Sequence, residues 1–379
     1  MNKKTSYYQM LVSPHVGGGA KLAIEIHKYI ITTRGPRSRL LLPKGAEAEQ
    51  SAIDQNFAFI GYDLEHLVSQ NRFISYMENL YLYVRTTNHN CGIIHIHSPF
   101  VYGAARPLFI ASKLKTVLHI HLDFTYEQLK WALKLPPDLI LICADFMRST
   151  VERTMSEAKF KNSKIQVILN AVDTKCFFSL DRAVAKAQLG VKVDLPLLMV
   201  IANLAPHKGQ ETAIRTVALL KANGFQVKLW IVGEERAPGQ NYLDKLKSLS
   251  MDLRVADLVD FVGFRKDIPQ LLQATDFLLL PSTNEGLPLV ILEAQASKSL
   301  VLAAPTAGVP EVIKDGLTGY LIAADNYQGY AERIAFLLTN PIQISRVVEA
   351  AYQHVCENHN MKQYCETVLQ EYDELLSNR

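Results

Sequence analysis

Short aliphatic and β-branched runs alternate with longer amphipathic segments along almost the whole chain, the pattern of parallel βαβ units whose sheets are covered by helices on both faces. In the first half the pattern predicts strands at residues 8–12, 39–42, 57–60, 93–97, 116–121, 139–143 and 165–169, with helices between them. Residues 174–195 show weaker periodicity, several charges and a Gly190 stop before Pro196, and read as a connection. The alternation restarts with strands at 197–202, 226–232, 259–262, 277–280, 300–303 and 320–322. After Asn340-Pro341 it becomes helical to the last residue.

This layout predicts two doubly wound, Rossmann-like α/β domains facing across a cleft, with ligands at the carboxyl ends of the strands. The expected divisions are a first domain over 1–175, a linker over 176–195, a second domain over 196–355 and a helix over 356–379 that packs back toward the first. A length of 379 residues suits two domains. With 49% hydrophobic and 20% charged residues, extended disorder is excluded. No apolar run approaches the ~18–20 residues that cross a bilayer, and the five scattered cysteines contain no C-x-x-C pair. The expectation is a cytoplasmic protein with no metal centre. The net charge of +3 hides a split: residues 1–175 carry 21 basic and 14 acidic side chains, and residues 176–379 carry 19 and 23. The two halves therefore present different surfaces to partners.

The most informative segment runs from Pro281 to Ala294. It follows an apolar strand, turns at Glu285-Gly286 and enters a helix with Pro288 at an early position. Free N–H groups around Leu289 and Val290, together with the helix dipole, suit a phosphate or diphosphate. Glu293, inside the helix, could accept from the vicinal hydroxyls of a ribose, and Glu285 could approach the other end of the same ligand. Their spacing alone also fits an ordinary structural pair of acids. Their placement beside a buried strand and among apolar helix positions favours a built site.

These residues resemble the retaining glycosyltransferases of family 4, which have the GT-B fold. Glu285-x7-Glu293 is similar to that family's paired-glutamate motif. Val262 to Ile268, Asp276 to Ser282, Gly308 to Val312 and Asp315 to Gly319 follow in the same order. Asn203-Leu204-Ala205-Pro206-His207-Lys208-Gly209 resembles the family's Arg-to-Lys-Gly loop, with Asn203 where the arginine usually stands. The resemblance departs again at Lys298 and Leu300, where a Gly and a Pro are common, and at Ala307, which replaces one of a glycine pair.

In the first half, Ser13 to Ala20 carries Gly17, Gly18 and Gly19 between a strand and a helix, and resembles the family's glycine loop facing the donor diphosphate. It has neither the G-x-G-x-x-G register of a dinucleotide fold nor the ending of a P-loop. Four histidines alternate at two strand ends, His95 and His97, then His119 and His121, so that each pair shares a face. A metal site is conceivable, but core histidines are the commoner explanation. His121 matches the family's active-site histidine. Asn170 to Asp173 resembles the family's segment at the domain junction.

The resemblance implies a retaining hexosyltransferase. Lys208, Glu285 and His121 would act on the transferred sugar and diphosphate. Gly17, Gly18, Gly19, Asn203, Phe264, Arg265, Gly286, Leu289, Val290 and Glu293 would line the donor. It implies no cofactor beyond a nucleotide-diphosphate sugar, UDP- or GDP-linked. The acceptor would be a glycan or lipid-linked hydroxyl in envelope or exopolysaccharide synthesis, with no nucleic-acid partner. The basic side chains Lys21, Lys28, Arg34, Arg37, Arg39 and Lys44 suggest contact with an anionic membrane surface on its cytoplasmic side. Two rival classes stay open: an epimerase or sugar phosphorylase on the same fold, and a nucleotide-sugar-binding subunit without chemistry.

Overall fold

A computed structural model describes residues 5–12, 17–86, 92–157, 163–177, 181–235 and 241–377. The chain divides into two units, Met1–Asn170 with Met361–Arg379, and Ala171–Asn360. All thirteen predicted strands are present, with ends displaced by at most two residues.

The first unit holds β1 (Ser6–Met10), β2 (Ser38–Pro43), β3 (Phe59–Tyr62), β4 (Gly92–Ile96), β5 (Lys115–Ile120), β6 (Leu139–Ile142) and β7 (Lys164–Val167). They pair in parallel in the order β3-β2-β1-β4-β5-β6-β7. β6 is Leu-Ile-Leu-Ile and wholly buried, as a strand covered on both faces requires. The helix Gly18–Arg34 turns Leu22, Ala23, Ile26 and Ile30 inward at helical spacing. The last helix, Met361–Ser377, packs on it: Tyr29 donates to Glu366 at 3.0 Å and Arg34 pairs with Asp373 at 2.7 Å.

The second unit holds β8 (Leu197–Ile201), β9 (Lys228–Val232), β10 (Val259–Gly263), β11 (Phe277–Leu280), β12 (Leu300–Ala303) and β13 (Tyr320–Leu321). They are parallel in the order β10-β9-β8-β11-β12-β13. Its core combines Leu198, Val200, Ile214, Val217, Leu229, Leu279 and Leu302 with Tyr330 and Ile334 from a late helix. Among the described residues no helix is long and apolar enough to cross a membrane.

The expected linker is not one. Within 176–195 the helix Arg182–Gln188 packs into the second unit, where Ala185 and Val191 join a cluster with Leu197, Met199, Trp230 and Leu271. Lys186, only 4% exposed, pairs with Asp276 at 2.6 Å and donates to the Leu195 carbonyl at 2.9 Å. A buried lysine at an inward position breaks the apolar periodicity of this short helix, although its ion pair with Asp276 holds the helix in place. The chain passes between units at 170/171 and 360/361 rather than at 175 and 355. Near these passages, the Val172 N–H donates to the His359 carbonyl at 2.9 Å.

Candidate functional site

The strand order of the second sheet reverses at β8, which has β9 on one side and β11 on the other. Loops after β8 and β11 therefore leave the sheet side by side at its carboxyl edge, where open α/β sheets bind ligands. The β8 loop carries Asn203 and closes in the 3-10 turn Pro206–Lys208, followed by Gly209 at φ 73°. The β11 loop carries Pro281 to Pro288. The two loops are stitched together, because the Thr283 N–H donates to the His207 carbonyl at 2.9 Å. A Cβ on Gly209 would come within 2.1 Å of the Pro281 carbonyl oxygen, so only glycine permits this approach.

The stitching places Lys208 Nζ 2.8 Å from Glu285 Oε1. The two side chains are 18% and 9% exposed, so this is a largely desolvated ion pair with one open side. The helix Leu289–Ala296 starts just beyond. Its N-cap is Pro288, which supplies no side-chain acceptor. Pro288 therefore stands just ahead of the helix rather than inside its first turn, held extended at φ −68° and ψ 120°. The first N–H groups, those of Leu289 and Val290, lack an intrahelical carbonyl by geometry, and no cap takes them. Glu293 lies one turn further on, buried at 6% exposure. Gly286 is buried, and its carbonyl accepts from the Gly308 N–H at 2.9 Å, which fixes the turn beside Glu285.

The other expected donor residues are more dispersed. Asn203 uses its carbonyl to accept from Gln210 Nε2 at 2.9 Å. Phe264 and Arg265 follow β10, the edge strand of the sheet. Phe264 is 54% exposed, and Arg265 Nε donates to Asp267 Oδ1 at 2.7 Å. The guanidinium is thereby turned to its own loop.

In the first unit the order reverses between β1 and β4. Ser13 to Val16 of the glycine-rich stretch lie outside the described residues. Gly17 is the N-cap of the helix Gly18–Arg34 and makes no side-chain cap. Gly19 packs closely against His121: a Cβ there would meet the ring at 2.9 Å. The four histidines form one stack, with ring centroids 4.2 Å apart for His95 and His97, 4.0 Å for His119 and His121, and 5.3 Å for His97 and His121.

The stack is tied into a hydrogen-bond chain that sequence reasoning missed. His97 Nε2 lies 3.2 Å from Gln9 Oε1, and His97 Nδ1 lies 3.0 Å from His121 Nε2. Gln9 Nε2 donates to Tyr372 OH at 3.1 Å, and Tyr372 OH lies 2.6 Å from His95 Nδ1. Burial keeps these imidazoles neutral. It pulls His121 down to about 4 and holds His95, His97 and His119 well below the ordinary histidine value. Because an amide oxygen only accepts, neutral His97 must donate from Nε2 and accept at Nδ1. His121 then donates from Nε2 and keeps a lone pair on Nδ1. Gln9 and Tyr372 are 363 residues apart, and no local pattern signals their meeting.

Ligand atoms of His95, His97 and His119 fall within 4.8 Å of one another. The rings are stacked rather than convergent, and both nitrogens of His97 are engaged, so a metal ion would have to displace Gln9 or His121.

Residues 181–354 match the family model described as Glycosyl transferases group 1. The D-inositol 3-phosphate glycosyltransferase of Actinosynnema mirum is 32% identical over 185 residues, 47% of this chain and 44% of that protein. The protein of the same name from Mycolicibacterium paratuberculosis is 30% identical over 191 residues, 50% of this chain and 42% of that one. The chain thus spans less than half the length of the curated relatives it matches. Among solved structures, Anabaena HepE in complex with UDP and glucose superposes with a TM-score of 0.84 at 20% identity, over 98% of this chain and 100% of that one. Sucrose-phosphate synthase from Thermosynechococcus elongatus gives 0.82 at 17% identity, over 99% and 100%. The fold is GT-B, two parallel-sheet α/β units.

Proposed function

We propose that this chain transfers a hexose-type sugar from a nucleotide-diphosphate sugar to a hydroxyl of a glycan or lipid-linked acceptor, with retention at the anomeric carbon. The observation that carries the reading is the Lys208–Glu285 pair beside an uncapped helix start, at the carboxyl edge where the strand order reverses. A diphosphate there would accept from the N–H groups of Leu289 and Val290 and from Lys208. Glu285 would turn to the donor sugar, and Glu293 would take the ribose hydroxyls.

The chemistry needs no nucleophilic side chain. The bond from the anomeric carbon to the diphosphate oxygen breaks, the acceptor oxygen bonds on the same face, and its proton passes to the leaving phosphate. Lys208 and the helix start stabilise the negative charge that grows on that phosphate, which is the main way such a site lowers the barrier. In the first unit, taken by itself, the N–H groups of the Gly17–Gly19 turn suit a phosphate and the His121 ring suits a sugar hydroxyl. UDP and glucose, bound by the Anabaena protein, support a UDP-linked hexose as the first donor to try. Envelope or exopolysaccharide synthesis is the proposed setting.

A thermal-shift panel of UDP, GDP and their sugars tests the donor site, since a ligand at a hundred times its Kd stabilises by about 2.7 kcal/mol. At least one shift is expected, and Lys208→Ala should abolish it. A flat panel would remove the donor site from the proposal. Asn203, in place of an arginine, favours a second reading, a binding subunit without chemistry. A ligand shift without sugar transfer to any acceptor tried would support it.

A further inference from the structure

In the first unit the helix Arg72–Thr86 is inverted in polarity. Its buried positions are Glu78, Asn79, Leu82 and Thr86. The three polar ones are satisfied from within the protein. Glu78 accepts from the Asp63 N–H at 2.8 Å, Asn79 accepts from the Leu108 N–H at 3.3 Å, and the Thr86 hydroxyl donates to the Leu82 carbonyl at 2.7 Å. The solvent side carries Phe73, Tyr76, Met77, Leu80, Tyr81 and Val84, exposed by 38% to 71%. On a helical wheel these six fall in one arc of about 140°. The helix's other exposed residues are Arg72 and Arg85, and none of its exposed residues is acidic.

Beside this stripe lies a groove of about 850 Å³. In it Tyr76, Ile110 and Trp131 meet Arg72, Arg106 and Lys134, and no acidic side chain lines it. A contiguous apolar face of this kind is not an ordinary soluble surface.

We infer that this face docks the protein onto an anionic lipid bilayer. Apolar side chains framed by arginines are what an interfacial helix presents to acyl chains and phosphate headgroups, and tyrosine and tryptophan settle at headgroup depth. The charge complementarity points to lipid rather than to a second copy. A two-fold contact through this face would bring Arg72, Arg85, Arg106 and Lys134 together with no acid in the patch to offset them. The basic residues between Lys21 and Lys44 serve less well for this purpose, because Lys28 pairs with Glu25 and Arg34 with Asp373. Docking of this kind does not require the proposed sugar transfer.

The test is sedimentation of the full chain with vesicles of phosphatidylcholine alone or mixed with phosphatidylglycerol, at low and high salt. Light scattering without lipid runs in parallel. The wild type should bind the mixed vesicles at least about tenfold more tightly than the neutral ones, and high salt should weaken that binding. The Phe73→Ser/Leu80→Ser/Val84→Ser variant should lose about tenfold or more. Arg72→Glu/Arg85→Glu, which leaves the apolar stripe in place, should erase the preference for phosphatidylglycerol. No binding to mixed vesicles, unchanged binding by both variants, or lipid-free self-association that the triple variant removes would each overturn the inference.

Discussion

Lys208 Nζ donates to Glu285 Oε1 across 2.8 Å, although 77 residues separate them in sequence. The pair exists because two adjacent parallel strands deliver both loops to one edge and Gly209 lets them touch. Removing either charge strands the other in a mostly desolvated place. Lys208→Met and Glu285→Gln should each cost about 1–3 kcal/mol, the penalty for leaving one partner of a partly buried pair unsatisfied. The double variant should cost less than their sum by at least about 0.5 kcal/mol. Urea denaturation of the four proteins measures this coupling. Donor-induced thermal stabilisation should vanish in both single variants and in the double, whereas a purely structural pair would let the double variant keep it.

Gly19 and Gly17 separate a steric requirement from a conformational one. Neither needs a left-handed backbone, yet a Cβ on Gly19 would lie 2.9 Å from His121 Cδ2, and one on Gly17 would meet nothing within 4 Å. His121 cannot yield freely, because His97 holds its Nε2. Replacing a helix glycine by alanine ordinarily stabilises by roughly 0.5–1 kcal/mol. Gly17→Ala should change stability by less than about 0.5 kcal/mol. Gly19→Ala should be destabilising, and it should shift the His121 ring resonances in a proton–nitrogen NMR spectrum. Unchanged His121 signals in Gly19→Ala would refute the contact.

The strands were legible because parallel strands covered on both faces are nearly continuous apolar runs, as in Leu139–Ile142 and Phe277–Leu280. The Lys208 and Glu285 loops were legible because each follows such a strand at the edge where ligands bind. What could not be read was whatever depends on distant contact. Lys186 looks like a linker lysine until Asp276, 90 positions later, covers it. Gln9 and Tyr372 gain their roles only when the last helix returns to the first sheet. The polarity of the helix Arg72–Thr86 was equally hidden, because an amphipathic pattern does not say which of its faces the protein keeps.

Acidification should unfold the first unit ahead of the second. His27 and His121 are pulled down to about 4 by burial, and His95, His97 and His119 lie well below the ordinary value for the same cause. Between about 6.5 and 4 the unfolded chain binds protons at these sites and the folded chain does not. Their contribution is therefore complete above pH 6.5 and declines as pH falls toward 4. Each histidine gives a slope of up to about 1.4 kcal/mol per pH unit. Urea unfolding at pH 7.5, 6 and 5 should show this loss, and His27→Phe should flatten the slope. A pH-independent midpoint over this range would contradict the neutral stack.

Ala307 stands where the resembled family has a glycine, and the structure holds it at φ 51°. Lys298, at the other glycine position, is held at φ 57°. The loops have thus kept the left-handed turn without the residue that adopts it at little cost. At Lys298 side-chain contacts offset part of the strain, since its ammonium pairs with Glu349 at 2.8 Å and lies over the Tyr352 ring. Ala307 has only a methyl group to lose. A left-handed residue other than glycine costs about 1–2 kcal/mol, and glycine returns roughly 0.5–1 of that through the freedom of the unfolded chain. Ala307→Gly should therefore stabilise the second unit by about 0.5–1 kcal/mol, whereas Lys298→Gly should be neutral or destabilising. Thermal and urea unfolding of the two variants decide it, and a destabilised Ala307→Gly would show that the methyl group packs in a way that outweighs the backbone strain.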